Sequence, residues 1–482
     1  MNTQNNNVGT GDKKPAARPE VIPSGPEFRS VAIQRPTSLA GVRKSAPSDI
    51  IDKKSYFQPE VSTEKPKDVS FNPDQRLWYP TQLRPVPTFY PLERSSRFVE
   101  DEVGVVVSRI SEANRLLSIH AVYCNETATA DLYTAENVEM YLSLWKTSGN
   151  QEGIVIEIQR RKGDSIHFHK YSRCILDAAV GELNMKELIQ KNGDDIDIVY
   201  TKKIDRLLNL ETERDAETET DNAVVAVEIA HGLLMKDRMD ARQLGLESLC
   251  LLTDPRKTGN RTALIASHVV LLGTAKGMDC NSLEPEEDLI VDETPFQEIR
   301  ESILSLVQFR RIGEECDYDH EAEACSEDEH ITVLHNLALA VLANALDVIS
   351  KQDSLLDGDS SLSSTPEEEV PTNRRRLDTS ESISERFLDE SLECSGGSED
   401  KEIMKTLISE LGKANLKPHN ACLSAKCLKS LCRASNKARS RAKELGAKTV
   451  VQTALDVGAR THLKLERECS HVMTELTQTN SE

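Results

Sequence analysis

Between Arg97 and Ser118 the apolar positions Val99, Val103, Val106, Val107, Ile110, Ala113, Leu116 and Leu117 recur at helical spacing. That pattern predicts an amphipathic helix. The period then drops to two. Ile119 to Tyr123, Ala128 to Tyr133, Val138 to Trp145 and Gly153 to Arg160 read as strands, because alternation suits a pleated, half-buried surface. Gly163-Asp164 is read as a tight turn, Ser165 to His169 as a returning strand, and Tyr171, Ile175, Leu176 and Ala179 as the start of a second helix. Helix, antiparallel strands, helix makes an α+β layer module over residues 93–200.

From Asp221 the pattern turns helical. Val224 to Leu234 is one apolar helix, and Ala241 to Leu252 a second, stopped by Thr253-Asp254-Pro255. Ala263 to Leu272, ahead of Gly273, is a third, and Pro295 to Arg311 and Ile331 to Lys351 add two more. The theme returns after Lys401, with Ala421 to Leu431, Ala438 to Leu445 and Val450 to Leu455. Leu and Ala on the inner faces of short consecutive helices predict an α-helical solenoid over 221–351 and 401–476, stacked as one array.

The flanks are polar. Apolar residues make up 38% of the 482-residue chain, against about 45–50% in an average globular protein. Residues 1–92 are expected to be a disordered arm and 352–400 a disordered acidic linker, rich in Ser and Glu and open to phosphorylation. At the end of the arm, Leu77-Trp78-Tyr79-Pro80 and Phe89-Tyr90-Pro91 are expected to pack on the neighbouring module.

Charge and cysteine use narrow the function classes. A net charge of −21 argues against wholesale coating of nucleic acid or anionic membrane. Eleven cysteines, an odd and scattered set, read as reduced thiols of a cytosolic or nuclear protein rather than a disulfide framework. The opening MNTQNNNVGTGDKK has no apolar core, so no signal peptide is expected, and no transmembrane segment either. No phosphate loop, dinucleotide fingerprint, nucleophile elbow or HExxH stands in the chain. The expectation is no enzyme, no catalytic residue and no cofactor. Cys316, His320, Cys325, His330 and His335 fall close together, but their spacing is irregular and acids lie between them, so no metal site is expected.

Two cationic groups remain as candidate sites. Arg160, Arg161, Lys162, Lys170 and Arg173 gather around the Gly163-Asp164 turn and could hold an anionic headgroup. Lys426, Lys429, Arg433, Lys437 and Arg441 continue at three- and four-residue steps, a basic ridge on one helical face. It suits an acidic partner or an internal clasp on the acidic linker.

The run Val155-Ile156-Glu157-Ile158-Gln159-Arg160-Arg161-Lys162-Gly163-Asp164-Ser165-Ile166-His167-Phe168-His169-Lys170, with the elements before it, makes 97–183 resemble the kinase-associated C-terminal domain that ends AMP-activated and microtubule-affinity-regulating kinases. The resemblance implies a regulatory module whose basic residues contact acidic phospholipids. Here no kinase domain precedes it, so restraint of a kinase in cis is not implied. Arg242 to Gly273 and Ala421 to Ala459 resemble armadillo or HEAT-type units, which implies binding of proteins along a groove. Together these give an intracellular, peripherally membrane-associated adaptor. The alternatives are a regulatory subunit that binds a kinase or other enzyme through the module, and a nucleic-acid-associated repeat protein using residues 426–448.

Overall fold

The computed structural model of the chain describes residues 78–86, 92–147, 153–183, 216–275, 294–308, 323–358, 383–394 and 402–477. Among these residues it is mostly helical, with fourteen helices and one sheet. Most of the expected N-terminal arm, its Phe89-Tyr90-Pro91 cluster and most of the expected acidic linker lie outside the described residues.

Strands β2 (Ser96–Val99), β3 (His120–Cys124), β4 (Thr129–Tyr133), β5 (Glu139–Lys146) and β6 (Ile154–Lys162) form a sheet in the order β2-β6-β5-β4-β3, every neighbour antiparallel. A short β1 (Arg84–Pro85) runs parallel to the end of β5. Alternation sorts the side chains: Ala130, Leu132, Met140, Leu142, Leu144, Ile154, Ile156 and Ile158 are buried in one core. Helices α1 (Val103–Leu116) and α2 (Ser165–Val180) supply the other half of that core through Val106, Ile110, Phe168, Ile175 and Ala179. Trp78 stacks on Tyr123 at 5.0 Å between centroids, so the described part of the aromatic–proline cluster packs on the module. On the opposite side of β6, fully buried Glu157 accepts hydrogen bonds from Trp145 Nε1 at 3.3 Å and from the Glu93 backbone N–H at 2.9 Å.

Two expectations are corrected here. The first helix does not begin at Arg97. Ser96 to Val99 instead closes the edge of β6, with Phe98 opposite Val155, and the helix starts four residues after Val99. The run Ser165 to His169 is not a strand but the first turn of α2. The Asp164 carboxylate accepts from the backbone N–H groups of Ile166 and His167, each at 2.9 Å, and a cap of this kind starts a helix rather than a hairpin return. Gly163 makes the reversal at φ +95°, where a Cβ would stand 2.5 Å from the Asn137 carbonyl oxygen.

The helical part begins with α3 (Ala216–Leu234), α4 (Met239–Leu252), the single turn α5 (Pro255–Thr258), α6 (Asn260–Leu272) and α7 (Thr294–Gln308). Next come the long α8 (Glu323–Gly358) and α9 (Ile383–Cys394). The chain closes with α10 (Ile403–Gly412), α11 (Pro418–Ala434), α12 (Asn436–Glu444), α13 (Ala447–Thr461) and α14 (Leu463–Thr477). Helix α8 packs against α4, α6, α7 and α11. Within its stretch His330–Gln352 an 18-residue window has a mean hydropathy of 1.6, long and apolar enough by composition to cross a bilayer. In the fold Leu334, Leu339, Leu342, Leu346 and Ile349 of that stretch are buried in one helical core that runs from Val227 to Leu476.

The acidic stretch carries a further correction: residues 383–394 are helix α9, not linker. Ile383, Phe387 and Leu388 face the same way, at spacings of four and one, and join the helical core. The module and the helices keep separate cores and are joined by several polar contacts. Arg115 Nη1 lies 3.3 Å from Glu466 Oε2, the Lys464 backbone N–H donates to Ser118 Oγ at 3.0 Å, and His419 Nε2 lies 3.0 Å from the Tyr133 carbonyl oxygen.

Phe387 is fully buried, so Phe387→Ala is expected to cost about 3–5 kcal/mol in local or global stability. The check is pulse proteolysis: cleavage confined to residues 383–394 is expected if α9 detaches by itself, and unchanged protection in that segment would contradict its anchoring role.

Candidate functional site

The cationic turn is built by the end of β6, Gly163, the Asp164 cap and the first two turns of α2. Hydrogen bonds from the His167 and Ile166 backbone and from the His167 ring hold the Asp164 carboxyl below its ordinary range, so the cap is charged wherever the module is folded near neutral pH. The structure does not leave the five sequence-predicted cations as one bare cluster. Arg161 lies on the open face of the sheet, 2.9 Å from Asp131 and 4.1 Å over the Tyr141 ring. Arg160 Nη1 donates to the Gly163 carbonyl at 3.0 Å. Lys162 stands 3.6 Å from Glu139, and Arg173 3.6 Å from Asp177. Lys170 lies 5.9 Å from the Tyr171 ring centre. Their heads still reach water: the side chains of Arg161, Lys162 and Arg173 are 53%, 56% and 81% exposed, and pairs of this kind are weak and easily exchanged.

Sequence reasoning missed one residue here. Ile166, in the first turn of α2, is 76% exposed. With Ser165 to His169 read as a strand it had no assigned direction. Once the segment is helical, the phase set by Phe168, Tyr171 and Ile175 turns Ile166 outward. The tip of the module therefore presents an apolar side chain among cations.

The second group, on α11 and α12, folds into internal pairs. Lys426 Nζ is 3.0 Å from Asn344 Oδ1 and 3.8 Å from Asp347. Lys429 Nζ is 2.8 Å from Glu468 and 3.9 Å from Asp347. Burial works to raise the Asp347 carboxyl, but Lys426, Lys351 and Lys429 outweigh it and leave it below the ordinary range. Arg433 lies 3.9 Å from Glu475, and Lys437 pairs with Asp389 of α9. Arg441 grips Glu402 with two hydrogen bonds of 2.7 and 2.8 Å and holds Glu444 at 3.0 Å. Lys437 thus clasps the acidic stretch, while Lys426, Lys429, Arg433 and Arg441 tie neighbouring elements to one another.

Between α9, the start of α10 and α12 lies a cleft of about 430 Å³. Leu388, Ile403, Met404 and Ala438 give it an apolar lining, and Glu402, Lys437, Arg441 and Glu444 a charged one. Of the five Cys and His residues considered for metal, His330 is exposed on α8, and His335 is held in place: Nδ1 lies 2.9 Å from the Leu306 carbonyl oxygen and Nε2 3.7 Å from Glu410. Cys316, His320 and the side chain of Cys325 lie outside the described residues. Cys427 and Cys432 are buried thiols pushed up to about 12 by burial, which leaves them protonated and unreactive. No protein-family model, curated protein or solved structure matches this chain.

Glu402 is buried to 3% exposure, so losing its forked partner leaves a carboxylate without compensation. Arg441→Ala is expected to lower stability by about 1–2 kcal/mol, a value discounted for the exposure of the arginine. Urea denaturation checks it. Glu402→Gln in the Arg441→Ala background should recover part of the loss.

Proposed function

We propose that the protein is a non-enzymatic, cytoplasmic adaptor that meets an anionic phospholipid surface through its α+β module and holds a protein partner on its helical array, read as an armadillo/HEAT-like solenoid. The observation that carries the reading is the tip at the β6–α2 turn, where exposed Ile166 sits among Arg160, Lys162, Lys170 and Arg173. An anionic interface rewards that combination twice: the apolar side chain enters the headgroup region and the cations gain attraction to the lipid. Asp164 at the cap and Asp177 keep the tip from being uniformly positive, which favours reversible attachment over permanent anchoring.

The cleft between α9, α10 and α12 supports the protein-binding half of the reading, since an apolar floor of Leu388, Ile403, Met404 and Ala438 suits a peptide side chain. The ridge, by contrast, gives little support to nucleic-acid binding. Its five cations face Asp347, Glu468, Glu475, Asp389 and Glu402, and binding phosphate there would mean giving up internal pairs.

Sedimentation of the full chain with vesicles tests the membrane half. Binding is expected with phosphatidylserine and not with neutral lipid. A cation near such a surface is worth about 1 kcal/mol, so Lys170→Ala/Arg173→Ala should weaken partitioning roughly thirtyfold. Ile166→Ser should weaken it without changing its salt dependence. Absence of binding at about 0.1 M salt, where fields still reach about 10 Å, would overturn the lipid contact and favour a module that grips a kinase or other enzyme.

A further inference from the structure

Helix α9 sits on the helical array much as a bound peptide would. It is 12 residues long, and residues 359–382 and 395–402 join it to α8 and α10 rather than continuing either helix. A helix of that length is marginal in water by itself, so its order depends on the surface beneath it. That surface is made by α6, α8, α11 and α12. Phe387 and Leu388 are buried there, with Ile383 packed beside them. The acids that follow meet cations of the array: Asp389 pairs with Lys437, and Glu390 Oε2 lies 3.1 Å from Arg300 Nη2. The array does not need α9 as a spacer, because α8 packs directly on α6 and α11, and α10 on α11 and α13.

The fit is incomplete in three places. The cleft of about 430 Å³ stays open beside Leu388. His268 of α6 is 5% exposed, yet neither ring nitrogen has a hydrogen-bond partner among the described residues. Burial, and then the charge of Arg386 on α9, hold that ring below its ordinary value and so neutral. Buried Arg300 brings Nη2 close to Glu390 but makes no hydrogen bond through it. Unpaired buried groups weaken the hold on the present occupant and reward another that pairs them. We propose that the seat of α9 is a docking groove for an acidic amphipathic helix of a partner protein, and that α9 is the tethered occupant which this partner displaces.

This rests on the reading that the helical array holds a protein partner, and it names the segment held. Apolar side chains at i, i+4 and i+5 are followed by two acids, the pattern of Ile383, Phe387, Leu388, Asp389 and Glu390. Helices lie in apolar grooves through anchors spaced in this way. A bulkier apolar side chain at the Leu388 position fills the open cleft, and a polar group that reaches His268 pairs it, so a partner helix can bind better than α9 does. The tether sets the threshold. A segment on the same chain acts at an effective concentration of about millimolar, which keeps weak ligands out and admits those that improve on it.

Fluorescence anisotropy with a labelled synthetic peptide of residues 381–393 tests the groove on the full chain. The wild-type chain is expected to bind it weakly, because α9 already fills the groove. Asp389→Lys/Glu390→Lys sets like charges against Lys437 and Arg300, loosens α9, and should bind the peptide about tenfold more tightly or better. The Phe387→Ala form of the peptide should bind neither chain. Hydrogen exchange of the wild-type chain is a second measure that needs no variant to fold: residues 383–394 should exchange about tenfold faster than α6 and α11, or more. Affinity no higher in the loosened variant, binding that survives loss of the phenylalanine, or α9 amides as protected as those of α6 would each overturn the groove. The peptide is the chain's own, so these outcomes strike the α9 seat alone, and the vesicle experiment decides the adaptor reading separately.

Discussion

Helix α8 cannot stand in water. Along Leu334, Leu339, Leu342, Leu346 and Ile349 its apolar side chains are closed off by α4, α6, α7 and α11, and burying aliphatic side chains of this size is worth about 1.5–3 kcal/mol each. The need to cover one helix from several sides joins the earlier helices to the later ones. It also determines the electrostatics of the later helices. Asp347 rides on α8, and once α11 is packed there for apolar reasons, Lys426 and Lys429 arrive within 4 Å of that carboxylate. The ridge is therefore turned inward by hydrophobic packing, and its ion pairs follow from that packing rather than direct it.

The α+β module obeys a different constraint. Its core is built where α1 and α2 cover one face of the sheet. Leu116 is buried but belongs to neither core, and a backbone carbonyl, a serine hydroxyl and an arginine–glutamate pair join the module to the helices. Gly458 lets α13 and α14 approach closely enough to form their side of the seam; a Cβ there would stand 2.5 Å from the Glu466 backbone nitrogen.

Much of this was legible in the sequence. The two-residue period found β3 to β6 to within a residue or two, and runs of apolar residues at helical spacing found the cores of α3, α4, α6, α7, α8, α11, α12 and α13. The misreadings have local causes. Ser165 to His169 contains an isoleucine and a phenylalanine after Gly-Asp, which is also how a hairpin return looks; the deciding fact, a carboxylate turned onto two backbone N–H groups, is a matter of geometry. Helix α9 was hidden because Glu385, Asp389 and Glu390 made its composition resemble a solvated tether, although Ile383 and Phe387 stood four apart. For the ridge, helical projection placed Lys426, Lys429 and Arg433 on one face but gave no means of knowing what opposed them. Asp347 and Glu468 lie some 80 and 40 positions away along the chain, and pairing over that distance is decided by the fold.

The inward turn of the ridge has a consequence for how the molecule responds to salt. Lys426 and Lys429 share Asp347 in a partly buried setting, whereas Arg161 and Lys162 meet their acids at the exposed surface of the module. Dissolved ions screen exposed pairs far more than partly buried ones. Rising ionic strength therefore loosens the pairs of the module tip first and leaves the links between α8 and α11 in place.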